Sequence, residues 1–222
     1  MTAVPAISLR RLTLRDHLGR PLVTDLDLEI APGQAAVLTA PPEVGNAVLR
    51  AAVGLWPAQE GEARVLGEEV RSLPRARAEA LLARVGYVPR YGALVSNLSL
   101  RENLVLPLRW HRHLGEPEAR HEAARAAARF GVDELPAVIP PLASVELRRR
   151  VALARAVVLS PEVLVLDDPT EDLDPATATE VAGQLAAAVR ALGAAVLATS
   201  HEDLVAGALS ANTFTLDVPS TP

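Results

Sequence analysis

Apolar residues fall at strand spacing through the first forty positions. Ile7, Leu9 and Leu12 open one strand, Leu26, Leu28 and Ile30 another, and Ala35 to Leu38 form a third that is apolar along its whole length. Leu18-Gly19-Arg20-Pro21 and Ala31-Pro32-Gly33 supply the turns between them. The spacing becomes helical at Ala47 to Trp56, where Val48, Leu49, Ala52, Val53 and Leu55 make an apolar stripe that stops at Pro57. Between Leu98 and Pro141 the chain is rich in Ala, Arg and Glu at helical period, broken by Gly115, Pro117, Gly131 and Pro136, which predicts a small helical subdomain over about 98–145. A helix over Glu146 to Leu159 follows, then a buried strand Val163-Leu164-Val165-Leu166 ending in Asp167 and Asp168. A helix over Ala176 to Leu192, a strand over Ala194 to Ala198 and the tripeptide Thr199-Ser200-His201 complete the pattern.

Strands alternating with helices of this length predict an α/β fold with a mostly parallel sheet covered on both faces. Ligands of such sheets bind at the carboxyl ends of the strands. That rule selects the loops Thr39 to Ala47, Asp167 to Pro175 and Ser200 to Asp203. No internal repeat or low-complexity segment is present, the 222 residues read as a single domain, and a loose tail is expected from Asp217 to Pro222.

Composition narrows the chemistry. All 22 basic residues are arginine and none is lysine, so no mechanism here can use a lysine. Without cysteine there is no disulfide, thiolate metal site or cysteine nucleophile, and a cytoplasmic setting is the default. No apolar run reaches the ~18 residues of a membrane span, and the N-terminus lacks the apolar core of a signal peptide. A net charge of −5 and two each of Trp, Tyr and Phe argue against a nucleic-acid surface, and the triplet Arg148-Arg149-Arg150 reads as a solvated helix face. His111, His113 and His121 read as solvated and not as metal ligands, and Trp56 and Trp110 as core or interface anchors.

One run of motifs carries a resemblance. Val151-Ala152-Leu153-Ala154-Arg155-Ala156 is followed by Pro161-Glu162-Val163-Leu164-Val165-Leu166-Asp167-Asp168-Pro169-Thr170, then by Leu173-Asp174-Pro175 and His201. In order and spacing this resembles the nucleotide-binding subunit of ATP-binding-cassette (ABC) transporters, running from the helix after the signature through the Walker B strand to the D-loop and the switch histidine. The resemblance implies the P-loop NTPase-like ABC ATPase fold: a mostly parallel core, an N-terminal antiparallel β subdomain and a helical subdomain.

The same framework places Walker A on Ala40-Pro41-Pro42-Glu43-Val44-Gly45-Asn46-Ala47, where G-x-x-x-x-G-K-[ST] is expected and only Gly45 fits. In a working loop, backbone N–H groups curl around the phosphates, the lysine reaches them and the hydroxyl holds magnesium. Here Asn46 replaces the lysine, Ala47 and Val48 offer no hydroxyl, and Glu43 brings a negative charge to an anion site. Losing the lysine contact costs roughly 1.5–3 kcal/mol, and a carboxylate about 5 Å from phosphate costs ~3 kcal/mol. A total near 5 kcal/mol turns a micromolar site into one of several millimolar. ATP and magnesium are therefore expected to bind weakly or not at all, and no cofactor is required.

Other family positions are mixed. The L-S-G-G-Q signature falls on Ala143-Ser144-Val145-Glu146-Leu147, in which Ser144 alone survives, with an alternative role as helix N-cap. Asp167 matches the magnesium-holding Walker B carboxylate. Asp168 stands where the family has its catalytic glutamate, and Arg90 where the Q-loop has its glutamine. Asp16 and His17 occupy the place of the adenine-stacking aromatic, with a solvated turn as the plainer reading. His201 sits at the switch position, although Ser200 to Asp203 could equally start a helix.

In this family each ATP lies between one subunit's Walker A and its partner's signature, so losing both motifs compromises both sites in a homodimer and in a heterodimer with an intact cassette. The resemblance thus implies a pseudo-ATPase subunit with a structural or regulatory role, held at the cytoplasmic face of the membrane by a transmembrane permease partner. Tyr91 to Leu108 resembles the segment after the Q-loop in ATPases of MCE-type bacterial lipid-trafficking systems, which implies lipid cargo and makes Leu94, Val95 and Leu98 candidate permease contacts. Two other readings stay open: a slow but genuine ATPase with an arginine such as Arg90 in place of the lysine and Asp168 as base, and a soluble ABC-like dimer without a transporter.

Overall fold

The strand-period stretch at the N-terminus folds as one sheet and the alternating strands and helices as another. The computed structural model describes residues 4–217. Its elements are β1 (Ile7–Arg15), β2 (Pro21–Ile30), β3 (Ala35–Thr39), α1 (Pro42–Ala52), β4 (Glu60–Val65), α2 (Arg75–Leu82), β5 (Val85–Val88), α3 (Leu100–Arg112), α4 (Glu116–Ala128), α5 (Val145–Val157), β6 (Val163–Asp167), α6 (Pro175–Leu192), β7 (Ala195–Thr199), α7 (Asp203–Leu209) and β8 (Asn212–Thr215). Beyond residue 217, the tail expected to be loose lies outside the described residues.

Three strands pair antiparallel in the order β2-β1-β4. In β1, Ile7 and Leu9 occupy odd positions and Leu12 and Leu14 even ones, yet all four are fully buried. A regular strand would send one of these pairs to solvent. A bulge resolves the conflict: the register with β2 shifts between Leu9 and Leu12, and Arg11 adopts a left-handed φ of 46°. Gly61, with φ 75°, faces the bulge so closely that a Cβ there would lie 2.2 Å from the Arg11 carbonyl oxygen and 2.3 Å from that of Arg10.

The second sheet runs β5-β6-β7-β3-β8, with every pair parallel. Its side chains sort by parity, as two-sided burial requires. Val37, Leu164, Leu166, Val196 and Ala198 join the core that includes α3 to α6. Leu38, Val163, Val165, Ala195 and Leu197 join the core shared with α1 and the antiparallel sheet. The expected α/β architecture is therefore present.

Several boundaries differ from the sequence reading. The helix expected at Ala47 already begins at Pro42 and ends at Ala52, leaving Trp56 outside it. Pro42 stands at a position that tolerates proline, because its fixed φ suits the first turn and no N–H is missed there. Glu43 in that turn favours the helix dipole. The far end closes at Gly54 (φ 75°), with Leu55 N–H donating to Arg50 O at 2.7 Å. Strands β4, β5 and β8 and helix α2 are additions to that reading; β8 is exposed throughout, so it carries no burial pattern. Trp110 is 68% exposed on α3 and is not a core residue.

Candidate functional site

Three strands of the parallel sheet bring the selected loops together. β3 ends at Thr39, β6 at Asp167 and β7 at Thr199, with β7 between the other two. Gly45 lies so close to β7 that a Cβ on it would come within 2.7 Å of Thr199 Cγ2. The first turn of α1 is thus pressed against the sheet end where Asp167 emerges.

The degenerate Walker A position, expected as a loop, is helix from Pro42 onward. Val44 N–H and Gly45 N–H both donate to Pro41 O, at 2.9 and 3.0 Å, so two amides of the would-be cradle are spent inside α1. Asn46 turns its Nδ2 to Asp167 Oδ2 at 3.0 Å. Thr199 donates its hydroxyl to Asp167 Oδ1 at 2.8 Å and accepts from Asp168 N–H at 3.1 Å. Asp167, 1% exposed, therefore has both oxygens engaged by neutral donors of its own chain. Ala47 and Val48 are buried in the core. This donor set does not fit a magnesium–triphosphate: the carboxylate is occupied, the amides are spent, positions 46 to 48 offer no hydroxyl or lysine, the Thr199 hydroxyl is itself given to Asp167, and Glu43 is exposed at the helix start. Thr199 was not singled out by sequence reasoning as a functional side chain; its position at the end of a buried strand was the available signal.

A second cluster surrounds Asp168. Arg90 donates from Nε to Glu171 Oε1 at 2.8 Å and also from Nη2, while its Nη2 lies 3.6 Å from Asp168 Oδ2. Arg149 backs this pair, donating to Arg90 O at 2.8 Å and Glu171 O at 3.2 Å. Glu171 Oε2 is buried without a partner among the described residues. Burial, and then the neighbouring Glu171, push the Asp168 carboxyl above its ordinary range, against the pull of Arg90, His201 and Arg149. Asp168 itself has a left-handed φ of 46°. His201 is exposed and lines a 470 Å³ cavity with Arg90, Asp168 and Glu171. Arg90 thus reaches carboxylates and not α1, and Arg149, read from the sequence as solvated, is buried with Arg150.

The remaining positions are quickly placed. Ser144 caps α5, its Oγ accepting from Leu147 N–H at 3.2 Å. Helix α7 starts at Asp203, after His201. His17 is exposed in a turn held by Asp16, whose Oδ1 accepts from Leu18 and Arg20 N–H. Trp56 is braced by Arg50 at 5.1 Å from its ring centre and by its bond to Arg15 O, which suits an anchor. Val95 is exposed, whereas Leu94 packs on the core and Leu98 is half-buried. Among the described residues no group of His, Asp or Glu is placed to hold a metal, so His111, His113 and His121 do not converge.

Comparison with known proteins places this geometry in context. Residues 23–171 match the family model described as ABC transporter. The lipoprotein-releasing system ATP-binding protein LolD of Maricaulis maris is 35% identical over 191 residues, spanning 84% of this chain and 82% of that protein. The intermembrane phospholipid transport system ATP-binding protein MlaF of Haemophilus influenzae is 27% identical over 198 residues, spanning 88% and 74%. A dimeric ATP-binding cassette in a post-hydrolysis state bound to ADP and Pi superposes with a TM-score of 0.86 at 21% identity, covering 96% of this chain and 97% of that one. At that identity the likeness is one of fold.

Proposed function

The chain belongs to the ABC transporter family, and from that premise we propose that it is a cassette subunit whose nucleotide site has become structural: a pseudo-ATPase serving a membrane transporter in a regulatory or scaffolding role. The observation that carries this reading is the state of Asp167, with Asn46 and Thr199 on its two oxygens while the loop before them is wound into α1. Arg90 supports it from the other side, since its guanidinium is committed to Glu171 and lies beside Asp168.

The subunit is proposed to sit at the cytoplasmic face of the membrane through a permease subunit, paired with a second cassette, either a copy of itself or a different chain. No helix among the described residues is long and apolar enough to cross a membrane, which accords with attachment through a partner. Lipid or lipidated cargo is favoured by relatives named for lipoprotein release and phospholipid transport.

Calorimetric titration of magnesium–ATP into the purified chain tests the reading. The expected result is no saturable heat below about millimolar ligand, and no phosphate release above background. Micromolar, magnesium-dependent binding with hydrolysis abolished by Asp167→Asn would overturn it. Recovery of the chain from membranes as a lone soluble dimer, with no integral membrane protein attached, would overturn the transporter assignment.

A further inference from the structure

Two loops of the parallel sheet are fastened to each other by charge. The loop after β5 runs from Pro89 to Ser99 and the loop after β6 from Asp168 to Asp174, neither with regular secondary structure. Such stretches are ordinarily the mobile parts of a fold, because few bonds hold them. Here a largely desolvated ion pair crosses between them. Arg90 in the first loop and Glu171 in the second have side chains 18% and 23% exposed, and both Nε and Nη2 of the guanidinium turn to Glu171 Oε1. Pairs on open surface contribute little, whereas removing one member of a desolvated pair strands the other charge.

Arg149 makes the crossing double. Its buried guanidinium reaches the main chain of both partners, Arg90 O at 2.8 Å and Glu171 O at 3.2 Å. Arg90 and Glu171 are thus tied once through their side chains and once through their backbones, the second tie coming from α5. In number, the guanidiniums of Arg90 and Arg149 are matched by the carboxylates of Glu171 and Asp168, the latter 3.6 Å from Arg90 Nη2. The far half of the first loop is held as well. Gly92 O accepts from Arg155, and the carbonyls of Val95, Leu98 and Ser99 accept from Asn103 Nδ2.

We infer that Arg90, Glu171 and Arg149 form a strut that joins the two loops into one rigid body, held in one conformation by the chain's own charges. A displacement of the exposed Tyr91 and Val95 is then carried to the cavity beside Asp168 and His201 instead of being absorbed in a slack loop. This goes beyond the scaffolding role proposed above by assigning which parts of the chain move together.

Hydrogen–deuterium exchange of the full chain, with no nucleotide added, tests the strut. In the unaltered protein the bonded amides of Gly92, Val95 and Leu98 in one loop, and of Glu171 and Leu173 in the other, are expected to exchange at least about a hundredfold more slowly than unstructured amides. Arg90→Gln should speed exchange about tenfold in both loops, although the substitution lies in only one of them, while β7 keeps its protection. Glu171→Gln should do the same, and the double variant should exchange no faster than the faster single variant, since each substitution removes the same link. Fast exchange in the unaltered loops, a change confined to the loop that carries the substitution, or additive effects in the double variant would each overturn the inference. The first of these is read on the unaltered chain, so it decides the matter even where a variant fails to fold. Calorimetry with magnesium–ATP measures a different property, so the strut and the nucleotide reading can fail separately.

Discussion

Asn46 shows how a single side chain can occupy a buried carboxylate. Its amide fills a bond that Asp167, buried at the end of β6, would otherwise lack. Asn46→Ala should therefore lower folding stability by about 1–3 kcal/mol, the penalty of an orphaned buried acceptor, in urea unfolding at neutral pH. Asp168 behaves differently. Burial and Glu171 disfavour its charged form, so its folded pKa lies above the unfolded one. The folded state then holds the proton more tightly, and stability falls as pH rises through and above the ordinary carboxylate range. Asp168→Asn should unfold at higher urea than the parent at pH 7, with the advantage vanishing as the pH is lowered through that range. The absent lysine could be read directly from the sequence. That its replacement bonds to Asp167 could not, because that pairing depends on how α1 docks against the sheet.

At the scale of elements, periodicity located the buried strands and the long helices, and failed where burial leaves no pattern. β6 and β7 were found because their first four residues are apolar and every residue is buried, while β8, exposed along its length, carries no such signal. The spacing of Ile7, Leu9, Leu12 and Leu14 contains a change of parity that only a bulge can satisfy. Gly61 is the counterpart of that bulge, and Gly61→Ala should cost about 3 kcal/mol or more, since both the left-handed φ and the backbone oxygens of Arg10 and Arg11 forbid a Cβ. Circular dichroism during urea unfolding would measure it. The start of α1 was misplaced for a physical reason: Pro42 and Glu43, damaging in a phosphate loop, are favourable residues for a first helical turn. Ser144 was read in both senses, and its bond to Leu147 N–H realises the capping one.

At the scale of the molecule, order and alternation of segments were enough for the architecture, because a sheet buried on both faces admits few ways of arranging such strands. The apolar cleft beside Arg155 was legible only at Val95, because its other walls come from α2, β5, α3 and α5 and meet only in the folded chain. The wound start of α1 has a further consequence for descent. Placing a lysine back at position 46 would set an ammonium on the flank of a finished helix, with Val44 and Gly45 N–H still held by Pro41 O. Recovery would need the turn undone, the prolines and Glu43 replaced and Asp167 released, each change harmful until the others are made. On the proposed reading of this site as structural, a lineage carrying this chain would reach nucleotide hydrolysis again across a valley and not by a step.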